Sequence, residues 1–201
     1  MIDSSKYPLV DLSAYHDACG TGFIAEVSAK PSRRVVTLAI SALKRLAHRG
    51  ATGADKKTGD GAGILTDIPQ NFFTRIVKQD FGRSLVEDEA LAVAMVFAAR
   101  TEVVLVEKMF QSLAAEYDMG YIGKREVPTN GDALGETAKS SCPVILQFFL
   151  ACPEEGARSV EARLYLLHKA IEKELTKKRA DSFICSLSSK TVVYKGLMTS
   201  S

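Results

Sequence analysis

The feature that most constrains this chain is the continuous apolar run from Leu91 to Ala98, LAVAMVFA. It is far shorter than the roughly 20 residues needed to cross a bilayer. It also lacks the alternation of a half-exposed strand, so it reads as a strand buried on both faces. Such a strand needs a covering layer on each side, and the remaining sequence supplies both helices and strands.

Val35, Val36, Leu38, Ala39, Leu43 and Leu46 recur at helical spacing after Lys30-Pro31-Ser32, predicting an amphipathic helix that ends near Ala47. Phe72, Phe73, Ile76 and Val77 predict a second helix, closed by Gly82, and Val103 to Tyr117 a third. The longest helical pattern spans Ala157 to Lys178, with Leu164, Leu167, Ala170, Ile171 and Leu175 on its inner face. Strands are predicted at Gly20–Val27, Ile64–Ile68, Tyr121–Val127 and Val144–Leu150, and at the closing pair Phe183–Leu187 and Thr191–Tyr194. Adjacent strands favour antiparallel pairing, so the fold class is α+β. The chain finishes on a strand and a small polar tail, an uncovered edge that reads as a truncation.

Composition narrows the function classes. With 26 Lys and Arg against 24 Asp and Glu, the net charge is +2. Nucleic acid and anionic membrane, which select a basic footprint, are therefore not the expected partners. Residues 1–18 show no helical or strand period and no apolar core of a secretory signal. The four cysteines, Cys19, Cys142, Cys152 and Cys185, lack CxxC spacing and a nearby histidine pair. They are expected to be reduced thiols rather than disulfides or metal ligands, in a cytoplasmic protein or an organelle interior.

Cys19 carries the sharpest chemical possibility. It lies where the unpatterned leader meets Gly20-Thr21-Gly22-Phe23. Removal of residues 1–18 would place a thiol and a free α-amine on one residue. Their reference pKa values, about 8.5 and about 7.7–8.0, are closely matched, so the amine can act as the local base. With the leader attached, that nitrogen is an amide and accepts no proton. Taken alone, a cysteine before a glycine-rich strand is more often a small buried hydrophobe. The loop Gly59-Asp60-Gly61-Ala62-Gly63 is no Walker loop, because it lacks Gly-Lys-Ser/Thr and leads into a strand. Gly20-Thr21-Gly22 lacks the third glycine and the helix of a dinucleotide fingerprint.

Longer motifs surround these residues. They are Ala14-Tyr15-His16-Asp17-Ala18-Cys19-Gly20-Thr21-Gly22-Phe23-Ile24, Leu46-Ala47-His48-Arg49-Gly50-Ala51-Thr52-Gly53-Ala54-Asp55 and Thr58-Gly59-Asp60-Gly61-Ala62-Gly63-Ile64-Leu65. Lys124-Arg125-Glu126-Val127-Pro128, Leu134-Gly135-Glu136 and the run Phe183 to Gly196 continue them. Together they resemble the start of the glutamate synthase large subunit, from residue 15 onward.

The resemblance implies a class II glutamine amidotransferase domain over 19–201, preceded by a propeptide at 1–18. Its fold would be the four-layer αββα sandwich of N-terminal nucleophile hydrolases, incomplete in this chain. Cys19 would be the catalytic nucleophile on L-glutamine. Arg49 would lie beside it, and Gly20, Gly50, Asp60 and Gly61 would shape the substrate wall. His48 is left a packing or capping role. No metal or cofactor is expected within the chain; FMN and an iron–sulfur cluster belong to the complete family protein. The family's carboxylate-binding arginine, oxyanion Asn-Gly pair and amine-binding aspartate have no counterpart in these 201 residues. The fragment alone is thus expected to be inactive, completed by the rest of the polypeptide or by a complementing chain. The alternative is a non-catalytic remnant that binds a partner amidotransferase.

Overall fold

The structure is a computed structural model describing residues 20–28, 30–46, 57–59, 61–156 and 158–196. The chain divides into two compact units, 1–51 with 200–201, and 52–199.

In the first unit, α1 spans Arg33–Arg45. Ser32 caps it, its Oγ accepting from the Arg34 N–H at 3.2 Å, and Lys44 and Arg45 sit at its negative C-terminal end. Val35, Val36, Ala39, Leu43 and Leu46 form a half-buried stripe, whereas Leu38, predicted to share it, is exposed. The expected strand at Gly20–Val27 does not form. Phe23 and Val27 are almost wholly exposed, and residues 20–26 join no ladder. An extended segment becomes a strand only when a neighbour takes its N–H and C=O groups. The described part of this unit contains only a helix, whose own backbone is already paired.

The second unit follows the order β1 (Ala62–Asp67), α2 (Gln70–Phe81), β2 (Glu89–Ala98), α3 (Val103–Glu116), β3 (Gly120–Glu126), α4 (Glu136–Ser140), β4 (Val144–Pro153), α5 (Val160–Lys177), β5 (Phe183–Ser188) and β6 (Thr191–Gly196). Four strands form one antiparallel sheet in the order β3-β4-β2-β5, and β1 pairs with β6 in a separate two-stranded ribbon. The apolar run becomes β2, paired with β4 from Glu89↔Pro153 to Ala98↔Val144.

Both faces of β2 are covered, as the run requires. Ala92, Ala94, Val96 and Ala98 turn, with Phe148 and Leu150 of β4, toward Val106 and Phe110 of α3 and Leu164, Leu167 and Ile171 of α5. Phe110 and Phe148 stack there at 4.2 Å. On the opposite face Leu91, Val93, Met95 and Phe149 meet Phe73 and Val77 of α2 and Val192 of β6. Each such large side chain, fully buried, contributes about 1.5–3 kcal/mol relative to exposure. The second unit is therefore a helix layer, a sheet, and a layer made of α2 and the ribbon.

Two departures from the sequence pattern matter. β5 and β6, joined by Ser188-Ser189-Lys190, are not a hairpin, since each pairs in a different sheet. Between β3 and β4, where no helix is predicted, the chain holds a 3-10 turn, Gly131–Ala133, and then the short α4. α4 is too short to show a period in sequence.

Carboxylates tie the connections together. Glu102 accepts from the Ser182 hydroxyl at 2.6 Å and from the Asp181 and Ser182 N–H groups at 3.2 and 3.0 Å. Glu161, in the first turn of α5, accepts from the Ser188 and Ser189 hydroxyls and the Ser189 N–H at 2.6–3.0 Å. The buried Arg163 donates to the Asp118 carbonyl at 3.2 Å and to the Pro153 carbonyl. In β3, Gly123 leaves room for the Phe81 ring, with which a Cβ there would clash.

This packing has two measurable consequences. Gly123→Ala is expected to destabilise the chain by about 1–3 kcal/mol, because the Phe81 ring must move against Phe149; denaturant unfolding measures it. The Ser182 hydroxyl first, then the two backbone N–H groups, hold the Glu102 carboxyl below its usual range despite opposing desolvation. A depressed carboxyl stabilises fully above its unfolded pKa, about 4.3, and loses that contribution as pH falls through the folded value. Glu102→Gln should therefore lower Tm at pH 7, with the gap to wild type closing below pH about 4.

Candidate functional site

Pairing of β1 with β6 brings together two motifs that lie far apart in sequence. Ala62↔Gly196, Gly63↔Lys195, Ile64↔Tyr194 and Leu65↔Val193 set the register. Gly61, just before β1, has φ 118°, a backbone region that side-chain-bearing residues rarely adopt. Gly63 is needed for a different reason. A Cβ there would fall 2.8 Å from the Lys195 Cβ and 3.0 Å from the Tyr194 carbonyl oxygen. The glycines of this loop thus let the backbone turn into the ribbon and let the two strands close. The Lys195 ammonium lies 5.0 Å from the Phe183 ring centre and 5.9 Å from that of Phe97; the two rings stack at 5.1 Å.

Of the residues singled out in sequence, Cys19, Arg49, Gly50 and Asp60 lie outside the described residues, as does His48. Gly20 is exposed in the first unit, and Gly61 is exposed at the start of the ribbon in the second.

The other cysteines are free thiols. Cys152 is buried, which pushes its thiol up to about 12 despite the nearby Arg163 charge. Burial likewise raises the half-buried Cys185 thiol, with Lys195 opposing. Neither is poised as a thiolate at neutral pH. Cys142 is exposed on the β4 approach, not buried as a packing thiol would be. His168 sits on α5 with its Nε2 3.1 Å from Glu172, a local helix pair. Among the described residues, no group of three or more His, Cys, Asp or Glu could hold a metal ion, and no helix is long and apolar enough to cross a membrane.

One polar constellation escaped the sequence reading. Arg125 of β3 donates its Nε–H to Gln147 Oε1 at 2.7 Å, and Gln147 Nε2 lies 3.3 Å from the Met95 sulfur. The guanidinium carbon stands 5.8 Å from the Phe72 ring centre. Gln147 is 1% exposed. Its one signal in sequence was a polar residue inside the otherwise apolar Val144–Leu150.

Residues 19–201 match the family described as glutamine amidotransferases class-II. Among curated relatives, the NADPH glutamate synthase large chain of Azospirillum brasilense is 41% identical over 90% of this chain and 12% of its own length. The NADPH glutamate synthase large chain of Bacillus subtilis is 37% identical, over 92% of this chain and 12% of its own. The ferredoxin-dependent glutamate synthase of Antithamnion is 35% identical over 98% and 13%. The chain thus spans about one eighth of the length of these relatives. A solved structure, the C-terminal domain of the MgtC protein from Mycobacterium tuberculosis, aligns at 13% identity with a TM-score of 0.34, over 57% of this chain and 95% of that one. That likeness is too low to bear on the fold.

The Gly63 contact makes a local prediction. Gly63→Ala should open the ribbon, so that amide exchange of Ile64 and Thr66 speeds by an order of magnitude or more while β2 and β4 keep their protection.

Proposed function

Because this chain belongs to the class-II glutamine amidotransferases, we propose that it contributes the glutaminase chemistry of a glutamate synthase, with Cys19 as nucleophile. What carries the reading is that the family match begins at residue 19, the cysteine for which the local sequence offers an amine base. The unfavourable state of the Cys152 and Cys185 thiols supports it, since neither competes as a neutral-pH nucleophile.

In this reading residues 1–18 are a propeptide whose removal frees the Cys19 amine. The amine takes the thiol proton, and the sulfur attacks the side-chain carbonyl carbon of L-glutamine. The tetrahedral adduct collapses as the protonated amine returns its proton to the departing nitrogen. Ammonia leaves, and a γ-glutamyl thioester remains. Water then attacks the thioester, yielding glutamate and restoring the thiol. Arg49 flanks the nucleophile, and Gly20, Gly50, Asp60 and Gly61 form the substrate wall. Unit 52–199 supplies a helix layer and sheet faced by the ribbon, an arrangement compatible with part of an αββα sandwich.

The carboxylate-binding arginine and the Asn-Gly oxyanion pair would come from the remainder of a longer polypeptide or from a complementing chain. One absent oxyanion donor typically costs about 2.7–4 kcal/mol of barrier, so this chain alone has little glutaminase activity. The ammonia would add to 2-oxoglutarate in the synthase part of the protein, where FMN and an iron–sulfur cluster would act. Among the described residues the cysteines are dispersed and no group of donors gathers that could ligate an iron–sulfur cluster, and no step here uses either group.

The test uses the longer polypeptide that contains this chain. N-terminal sequencing should find the mature protein starting at Cys19. A diazoketone analogue of glutamine should add one label, at Cys19. Cys19→Ala should cut glutamine-dependent turnover by at least about 10³-fold while ammonia-dependent turnover persists. Full activity with residues 1–18 still attached would overturn the mechanism.

A further inference from the structure

The constellation around Arg125 has no role in the amide chemistry above, and its construction is specific. Arginine has only donors, so the Gln147 amide must turn its oxygen to the guanidinium, leaving its NH₂ to the weak acceptor sulfur of Met95. A buried amide matched to so poor an acceptor is costly in a position where an apolar side chain would pack. What it achieves is to fix the guanidinium through Nε.

The bulge in β3 decides which way Arg125 points. The register runs Tyr121↔Leu150 and then Gly123↔Phe149, so Ile122 is the extra residue. Without it, alternation would turn Arg125 to the α3–α5 face; with it, Arg125 shares the ribbon-facing side with Gln147 and Met95. Phe72 of α2 flanks the cation, and Tyr194 of β6 belongs to the same side. Among the described residues no carboxylate pairs with Arg125, and the Tyr194 hydroxyl makes no hydrogen bond. Burial raises the Tyr194 phenol, against the opposing Arg125 charge, so it remains a neutral donor. Lys124 is committed to Glu107 at 3.1 Å on the opposite face, and Lys195 to the Phe183 and Phe97 rings.

We infer that Arg125, pre-oriented by Gln147 and assisted by the Tyr194 hydroxyl, is a receptor for a small monocarboxylate on the ribbon-facing side of the sheet. The two Nη groups remain available for the parallel contacts that a planar carboxylate offers. One fixed positive charge with one neutral donor matches a monoanion better than a phosphate dianion. This site stands independently of Cys19, and a chain never processed or alkylated would still bind.

The experiment titrates the full chain, labelled with ¹⁵N-arginine, at fixed ionic strength with sodium acetate, L-glutamate, inorganic phosphate and chloride. The Arg125 Nε–H signal, identified by its loss in Arg125→Lys, should shift saturably with acetate and L-glutamate and at least tenfold more weakly with phosphate. Equal acetate and glutamate affinities assign the carboxylate alone, and tighter glutamate binding assigns an amino acid. Gln147→Met, which keeps side-chain volume, should weaken binding at least threefold with Tm unchanged or raised; Tyr194→Phe should weaken it too. A linear, chloride-like response to every anion, phosphate preference, or unchanged affinity in Gln147→Met would each overturn the proposal. If Arg125→Lys fails to fold, selective loss of the shift in Gln147→Met still decides.

Discussion

Everything in the larger unit depends on β2 being paired on both edges and packed on both faces. A ten-residue strand with almost no polar side chain cannot sit at a surface, so β4 and β5 must flank it and two apolar layers must enclose it. The helix-facing side of β2 carries four alanines (Ala90, Ala92, Ala94 and Ala98) and Val96, which lets α3 and α5 approach closely, while Phe148 and Phe110 fill the space beside them. The other side carries Leu91, Val93 and Met95, larger groups that reach α2 and the ribbon. One strand thus sets the spacing of both layers.

Small irregularities then determine what that scaffold presents. An extra residue in β3 at Ile122, and another in β5 at Cys185, each reverse the alternation of the residues beyond them. The first sends Arg125 to the ribbon side. The second puts Cys185 and Ser186 together on that side, where the Ser186 hydroxyl accepts the Val193 N–H at 3.2 Å as the chain crosses from sheet to ribbon. Glu102 and Glu161 hold the connections at either end of α5 through groups that would otherwise be loose loop backbone. Polar side chains here act mainly on the joints, and the apolar ones on the layers.

Legibility in sequence tracked the length scale of each signal. The helices at Gln70–Phe81, Val103–Glu116 and Val160–Lys177 were readable because several turns repeat one face. The central strand was readable because its apolar run is unbroken. The strand expected at Gly20–Val27 failed because a local pattern says nothing of a pairing partner. The antiparallel pairing expected of adjacent strands fails at β5 and β6 for the same reason, as the Ser188-Ser189-Lys190 link carries the chain between sheets. Arg163 was hidden inside a helical pattern: nothing local shows that its guanidinium closes on the carbonyls of Asp118 and Pro153.

For the chemistry, Cys19, Arg49 and Asp60 are proposed from long ordered motifs, a property of the linear chain that requires no coordinates, and they lie outside the described residues. The class of the domain was legible in that way as well, because the family match spans the same residues. Tertiary structure decided what no linear pattern holds: that Gly63 lies against Lys195, that Gln147 meets Arg125, and that Tyr194 shares their side of the sheet. These are contacts between residues many positions apart, set by strand register and by bulges. A one-residue change in register turns a side chain to the opposite face, and no local propensity records which face that will be.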